Sequence, residues 1–245
     1  MNSSKIWGFW GTLLWGVVIG VFLFLGQIIP LLIYMKVTGE VISVENLILF
    51  SQKVERDAYL LSISVIGSAF IVVPLVFGIA KLKRGSVLKE YFDLRGYSWR
   101  TFWRWMGVLV VLLIVEGVAL EAMGVKQTPN FMLNIEYPNT FSIYLLLFSV
   151  MFIAPLIEEV VFRGFLLKGF SKTFMGAEGA VALTSLLWAV MHLQYEFAYL
   201  AVIFMIGLVF GYARIKTGSL FVPMTMHMVM NGIASLGLFF EKGVV

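Results

Sequence analysis

The chain has no cysteine and only two histidines among its 245 residues, and only 13% of its residues are charged. Without cysteine, disulfide bonds, thiolate metal sites and cysteine catalysis are all excluded. An ordinary soluble domain is about 25% charged, so the charged fraction here is about half the usual value. The sequence also has no internal repeat and no low-complexity tract. These absences argue against a soluble or a repeat protein.

Hydrophobic residues are correspondingly abundant. They make up 60% of the chain, and the mean hydropathy is +0.95. Several uncharged runs reach or approach the ~20 residues that a helix needs to cross a hydrocarbon core. The sequence therefore predicts an all-α polytopic transmembrane helix bundle with about seven spans, within a range of six to eight. The predicted spans are 6–35, 58–80, 105–125, 141–167, 179–193, 197–213 and 219–240.

Basic residues predict how the bundle sits in the lipid bilayer. With the N-terminus in the cytoplasm, 13 of the 18 Lys and Arg residues fall in cytoplasmic segments, as the positive-inside rule requires. The basic, aromatic stretch 85–104 suits an interfacial connector between the second and third spans. Because the basic residues lie in loops rather than in a patch, the pI near 9.2 does not indicate a nucleic-acid partner. The compact chain favours a prokaryotic cytoplasmic membrane.

The stretch 158–164 places two carboxylates and an arginine inside an apolar run. Ionisable groups at membrane depth are costly, so they usually face a protein interior or a water-filled cavity and mark function. Glu159 and Arg163 are four residues apart and can pair on one face of a helix. Glu158 points about 100° away from Glu159 and is left free to face a cavity.

The two histidines are predicted to lie within apolar helices at a similar depth to Glu158. At 1.5 Å per residue, His192, His227 and Glu158 lie about 12 to 20 Å from the cytoplasmic ends of their spans. This places all three in the cytoplasmic half of the bundle. Asn231 follows His227 by four residues and projects from the same helix face.

These side chains suggest hydrolysis of an amide bond. A carboxylate with an imidazole can activate water as a general base. A second imidazole and a side-chain amide can donate to a developing oxyanion. A serine nucleophile is weaker, since no nucleophile elbow is present. Zinc is a fair competitor, with Glu158, His192 and His227 as three ligands, although the H-E-x-x-H spacing is absent. The residues alone leave both mechanisms open, and no cofactor is favoured.

Two further features of the membrane segments need an interpretation. Phe204, Gly207 and Gly211 recur at i, i+3 and i+7, a small-residue stripe that lets helices approach closely. Its predicted use is to bring the sixth span against the catalytic helices. Glu116, near the middle of the third span, could hydrogen-bond another helix or line the same cavity. A structural role is the first hypothesis for it.

Four blocks of residues, taken together, resemble a known family. The blocks are Glu158-Glu159-x-x-x-Arg163-Gly164, Trp188-x-x-x-His192, Phe204-x-x-Gly207-x-x-x-Gly211 and His227-x-x-x-Asn231. In this order they look like the CAAX protease and bacteriocin-processing enzyme family, also known as the Abi family of intramembrane proteases. The resemblance covers about residues 141–233 and divides one integrated membrane domain into helices 1–140, with no recognised motif, and a protease core, 141–245.

The resemblance implies a membrane peptidase whose site opens toward the cytoplasm. It implies that Glu158 with His192 activates water, that His227 and Asn231 form the oxyanion hole, and that Glu159 and Arg163 support them. At position 188 the family more often has Phe, so Trp188 predicts a narrower substrate cleft.

The predicted function is that of an endopeptidase that cleaves a membrane-associated protein or peptide near the cytoplasmic face. A non-catalytic membrane partner or bacteriocin-immunity protein that keeps the fold is the main alternative. A proton or ion pathway through Glu116, Glu158 and the histidines is the third hypothesis. Against it, Glu116 lies in a span with no motif, and a simple proton relay does not need the His–Asn pair. The family resemblance does not identify the substrate.

Overall fold

The computed structural model describes residues 5–243, and in that range the protein is built of helices without a β-strand. Among these residues, six helices are long and apolar enough to cross a membrane, and one further apolar helix is shorter. The predicted all-α polytopic bundle is therefore confirmed. In chain order the helices are α1 (Phe9–Thr38), α2 (Val44–Val54), α3 (Ala58–Leu82), α4 (Leu88–Tyr91), α5 (Trp99–Ala122), α6 (Asn130–Leu133), α7 (Thr140–Phe170), α8 (Gly176–Val190), α9 (Phe197–Thr217) and α10 (Phe221–Lys242).

The start of α5 differs from the sequence-based boundary. The helix begins at Trp99, whereas the apolar pattern predicted a span from residue 105. Ser98 is the N-cap, and its hydroxyl oxygen accepts the backbone N–H of Thr101 at 3.2 Å. Arg100 and Arg104 lie in the first turns of this helix. A prediction from hydropathy leaves these charged residues outside the span, but the helix includes them. Part of the predicted connector is therefore helix.

Helix ends meet at two ends of the bundle. At one end, here named the basic end, the connector residue Asp93 binds Lys168 at the end of α7 and Arg214 at the end of α9. The backbone N–H of Leu220, just before α10, also donates to the Asp93 carbonyl at 3.2 Å. The basic end therefore gathers the loops that carry most of the basic residues.

Contacts at the opposite end join the remaining loops. The Tyr199 hydroxyl, at the start of α9, donates to the Lys126 carbonyl at 2.5 Å. Lys242, at the end of α10, donates to the Leu133 carbonyl at 2.9 Å. The chain thus alternates between the two ends, and the 15-residue α8, about 22 Å long, completes one of the passages. This arrangement agrees with seven spans.

Helix α7 contains two π-helical stretches, Ser149–Ile153 and Glu159–Leu166. The first one lies directly before Pro155. Proline has no backbone N–H and its ring crowds the preceding turn, so a regular α-helix is disturbed there. The second stretch carries the charged residues. Stretches of this kind often mark functional positions in helices.

The main hydrophobic core surrounds α7. Phe165 from α7, Phe92 from the connector and Phe210 from α9 are all 0% exposed. On the outside, Trp10 and Phe24 of α1 are 76% and 65% exposed. Large apolar side chains on the outer surface of such a bundle are suited to contact with lipid.

Candidate active site

The charged part of α7 is held by a buried ion pair. Arg163 donates through Nη1 to Oε1 of Glu159 at 3.0 Å, and these residues are 1% and 0% exposed. The second guanidinium nitrogen, Nη2, lies 3.4 Å from the Gly207 carbonyl of α9. A buried cation needs a partner and further hydrogen bonds, because its desolvation is costly. The structure supplies both and links α7 to α9.

His227 of α10 lies between the two adjacent carboxylates. Its Nδ1 is 3.0 Å from Oε1 of Glu159, and its Nε2 is 3.9 Å from Oε2 of Glu158. The sequence predicts that Glu159 pairs with Arg163 and that Glu158 alone faces the cavity, whereas in the structure Glu159 contacts His227 as well. Glu159 is the first residue of the second π-helical stretch, so the regular α-helical geometry assumed from the sequence does not hold from this position on.

Glu158 is the more accessible carboxylate, with 18% of its side chain exposed. Its Oε2 accepts a hydrogen bond from the indole Nε1–H of Trp188 in α8. Trp188 is only 2% exposed. The sequence-based interpretation of Trp188 was a narrower substrate cleft, and it missed this contact. The indole N–H, which phenylalanine lacks, was the signal that could have indicated it.

His192 does not lie within a helix, contrary to the sequence-based prediction. Helix α8 ends at Val190, and His192 lies in the turn that follows. The His192 backbone N–H donates to the Ala189 carbonyl at 2.9 Å. Its Nδ1 is 2.8 Å from the Trp188 carbonyl, and its ring meets the Trp188 ring edge-on at 5.3 Å. Within residues 5–243 no hydrogen bond or ion pair joins His192 directly to Glu158.

The turn that carries His192 also contacts the loop at the opposite end. The Tyr195 ring lies 6.0 Å from His192 and 5.6 Å from Phe131, measured between ring centres. Burial, together with the negative charge of Glu158, raises the pKa of Tyr195 to about 12. His192 therefore lies beyond the end of α8, on the side of the opposite end. The sequence-based prediction had placed it in the cytoplasmic half.

Asn231 fills a gap in the backbone hydrogen bonds of α7. Its Nδ2 donates to the Val150 carbonyl at 2.8 Å. The preceding carbonyl, Ser149, is bonded five residues on by the N–H of Ala154. In the same π pattern the partner of Val150 would be Pro155, which has no N–H. Asn231 thus supplies the donor that Pro155 lacks.

The glycines of α9 lie against α8. A Cβ on Gly207 would be 2.9 Å from the Ser185 Cβ, and one on Gly211 would be 2.8 Å from the Val181 Cγ1. Both distances are too short for a side chain, so glycine allows this helix pair its close approach. Phe204, the first residue of the predicted stripe, is half-buried on α9.

Residues 140–233, which include every part of this site, match the family described as type II CAAX prenyl endopeptidase Rce1-like. The match to this family is confined to that segment of the chain. The resemblance deduced from the four motif blocks is therefore confirmed.

Two curated relatives extend the comparison. An uncharacterized 24.3 kDa protein of Escherichia coli is 38% identical over 137 residues, which cover 55% of this chain and 60% of that protein. The membrane-embedded CAAX protease MroQ of Staphylococcus aureus (strain USA300) is 31% identical over 134 residues, or 51% of each chain. The aligned part is thus less than two thirds of either relative. No solved structure is significantly similar to the chain.

The CAAX protease motif residues were also considered as metal ligands. Within the described part of the chain, no three or more His, Asp or Glu side chains are grouped so that they could hold one metal ion. The residues proposed for zinc, Glu158, His192 and His227, do not form such a group as they stand. Metal analysis of the purified protein decides the zinc alternative.

A cluster outside the CAAX protease motifs supports the site from the basic end. Asp93 binds Lys168 at 2.5 Å and Arg214 at 2.7 Å, and Arg214 is 3% exposed. Burial would raise the pKa of Asp93, but the hydrogen bonds and charges of these two partners outweigh it and lower the pKa. Sequence reasoning missed the cluster, since its members are far apart in the chain.

Glu116 lies apart from the motif residues. It is 9% exposed on α5, and its Oε1 has no hydrogen-bond partner among residues 5–243. No contact assigns it to the site.

Proposed function

We propose that the chain is an integral membrane endopeptidase that hydrolyses a peptide bond of a membrane-associated protein or peptide. The observation that carries this proposal is the partly exposed Glu158 carboxylate, held by Trp188 and facing His227, within a segment of the Rce1-like family. A carboxylate fixed at one oxygen and accessible to solvent is suited to accept a proton from water.

The hydrogen bonds at Nδ1 determine which ring nitrogen of each histidine is left to act in the reaction. A backbone carbonyl can only accept, so Nδ1 of His192 carries the hydrogen that binds Trp188 and leaves Nε2 as an acceptor in the neutral ring. His227 likewise donates from Nδ1 to the Glu159 carboxylate and turns Nε2 toward Glu158. A fixed partner on one ring nitrogen orients the other, as in other hydrolytic sites.

In the proposed reaction, Glu158 with His192 takes a proton from water as the water oxygen attacks the peptide carbonyl carbon. The negative charge that develops on the carbonyl oxygen is stabilised by the remaining N–H of the Asn231 amide and by His227 in its doubly protonated form, which donates from Nε2 while Nδ1–H stays on Glu159. The proton is then delivered to the amide nitrogen, the C–N bond breaks, and a carboxylic acid and an amine leave. Glu159 and Arg163 keep His227 in position.

The substrate class follows from the setting of the site. Glu158 and His227 belong to helices that are long and apolar enough to cross a membrane, so a substrate has to reach them at the bilayer. A membrane-associated protein or peptide meets that condition. The names of the family and of the staphylococcal relative point to CAAX-type processing as the first substrate class to try.

The experiment compares purified protein with its Glu158→Gln variant on a library of quenched fluorescent peptides, in detergent and in liposomes. Glu121→Gln is the matched control, because Glu121 is an exposed glutamate of α5 away from the motifs. Hydrolysis by the wild type and the control but not by Glu158→Gln is expected. Full activity of Glu158→Gln would reject the assignment of Glu158. A folded wild type that cleaves nothing would favour the non-catalytic partner.

A chelator arm with metal analysis separates the two mechanisms. Activity that survives removal of bound metal supports the glutamic mechanism. Activity that is lost with zinc and restored by it supports the metal-dependent one.

A further inference from the structure

Trp188 contacts more of the candidate site than any other side chain described above. Its Nε1–H donates to Oε2 of Glu158. That same oxygen is the one 3.9 Å from Nε2 of His227. The indole has a single N–H, and it is directed at the carboxylate that the proposed reaction uses as a base.

The surroundings of Trp188 fix the direction of this N–H. The Arg163 guanidinium lies over the indole face at 4.5 Å from the ring centre. His192 and His227 both meet the ring edge-on at 5.3 Å, and Phe210 lies 6.0 Å away. With only 2% of the residue exposed, the ring has no room to rotate. The hydrogen bond to Glu158 is therefore built into the core.

We propose that Trp188 is a positioning residue that holds the Glu158 carboxylate in place through its indole N–H. The proposal rests on the proposed peptidase function. A hydrogen bond donated to a carboxylate favours its ionised form over the protonated one. The bond also occupies Oε2, so that Oε1 is the oxygen left for water. Phenylalanine would keep an apolar wall but could do neither.

The Arg163 guanidinium adds to the effect. A cation over the indole face interacts with its π electrons, and withdrawal of electron density makes the N–H a stronger donor. Since Arg163 also binds Glu159, the ion pair and the indole form one continuous support from Glu159 to Glu158. Trp188 thus connects the support of the site to its proposed base.

The first test is the pH dependence of kcat/KM in Trp188→Phe. Because a hydrogen bond to a carboxylate favours its ionised form, loss of the donor is expected to change the acidic limb of the profile and to lower kcat/KM there by about tenfold. Trp103→Phe is the matched control, because Trp103 is 66% exposed on α5. An unchanged acidic limb in a folded, active Trp188→Phe variant would overturn the proposal.

The second test needs no peptidase activity. The chain has seven tryptophans, and their indole N–H signals can be observed by ¹⁵N NMR. The Trp188 signal is assigned by its loss in Trp188→Phe or, if that variant does not fold, by replacing the other six singly. It is expected to shift with pH in the wild type and to lose this response in Glu158→Gln. The same response in both proteins would overturn the proposal.

The two tests separate the possible failures. A wild type that cleaves no peptide but whose Trp188 signal follows Glu158 would contradict the peptidase function and support the contact. An active wild type with a Trp188 signal independent of Glu158 would contradict the positioning role alone.

Discussion

His227 binds the same carboxylate oxygen of Glu159 that Arg163 binds, and both distances are 3.0 Å. Glu159 therefore serves two partners at once, a buried cation and an imidazole of the candidate site. Sequence spacing indicates the first partner, since Glu159 and Arg163 are four residues apart on one helix. The second comes from α10 and is visible only in the folded bundle. Glu159 couples the stability of the core to the orientation of His227.

The Glu159→Gln variant is expected to lose both stability and turnover. The substitution leaves the Arg163 guanidinium buried without a counter-ion, which costs about 3–5 kcal/mol when a buried pair is broken. It also removes the charged partner of His227 Nδ1. Thermal unfolding in detergent and the turnover of the folded fraction measure the two effects. In contrast, Glu158→Gln should lose activity while it keeps its unfolding temperature. Equal destabilisation of both variants would contradict the assignment of a stabilising role to Glu159 and a catalytic role to Glu158.

Gly207→Ala tests the close approach of α9 to α8. The new Cβ would lie 2.9 Å from the Ser185 Cβ and 3.1 Å from its Cα, so the helices have to separate. Overpacking of this kind costs about 1–3 kcal/mol, and here it also moves the Gly207 carbonyl that Arg163 contacts. Gly237→Ala on α10 is the control, because no atom lies within 4 Å of its added Cβ. Unfolding temperatures of the two variants in the same detergent give the comparison, and equal values would contradict the predicted strain.

Much of the bundle could be predicted from composition alone. Hydrocarbon excludes unpaired backbone groups, so long apolar runs have to be helices, and their number and order follow from hydropathy. Boundaries were less certain, as Arg100 and Arg104 illustrate, because a helix can continue past the apolar part of its sequence. The end of α8 before His192 was also missed, since neither glycine nor proline marks it.

The sequence predicts that Glu158 and His227 lie close together, as their 3.9 Å distance shows, but it does not predict the other contacts of the candidate site. The motif spacing brought Glu158, His227 and Asn231 together, yet an ideal 3.6-residue helix turns Glu159 away from His227. The π-helical turns change that geometry and leave no simple mark in the sequence. The Asp93 cluster was missed for another reason. Its three members come from segments separated by tens of residues, and only the fold joins them.

Asp93→Asn is expected to lower the free energy of unfolding in a pH-dependent way. Asn tolerates the positive φ of 47° at this position, so the change removes charge without straining the backbone. Because the folded pKa of Asp93 is lowered, its stabilisation is fully present above the unfolded pKa of about 3.9 and is lost as pH falls through the folded value. The variant should be less stable by about 3 kcal/mol at pH 7, since Arg214 is left unpaired.

Urea unfolding at pH 7 and at steps below pH 4 tests this prediction of the Asp93 cluster. The difference between wild type and Asp93→Asn should narrow as the pH falls below 4. A difference that stays constant over this range would show that the ionised carboxylate does not carry the stabilisation.

Asn231 has two separable roles, and Pro155 provides the means to separate them. The structural role is the hydrogen bond to the Val150 carbonyl, which is needed only because Pro155 has no N–H. In wild type, Asn231→Ala should cost about 1 kcal/mol, because the partly buried Val150 carbonyl loses its donor. In a Pro155→Ala background the new backbone N–H can satisfy Val150, so the same substitution should cost less. A double-mutant cycle on unfolding free energies measures the coupling.

The proposed oxyanion role predicts a different result for turnover, which should fall by about 10²-fold in both backgrounds. Additive stabilities would contradict the Pro155 account, and turnover restored in the double variant would contradict the oxyanion role.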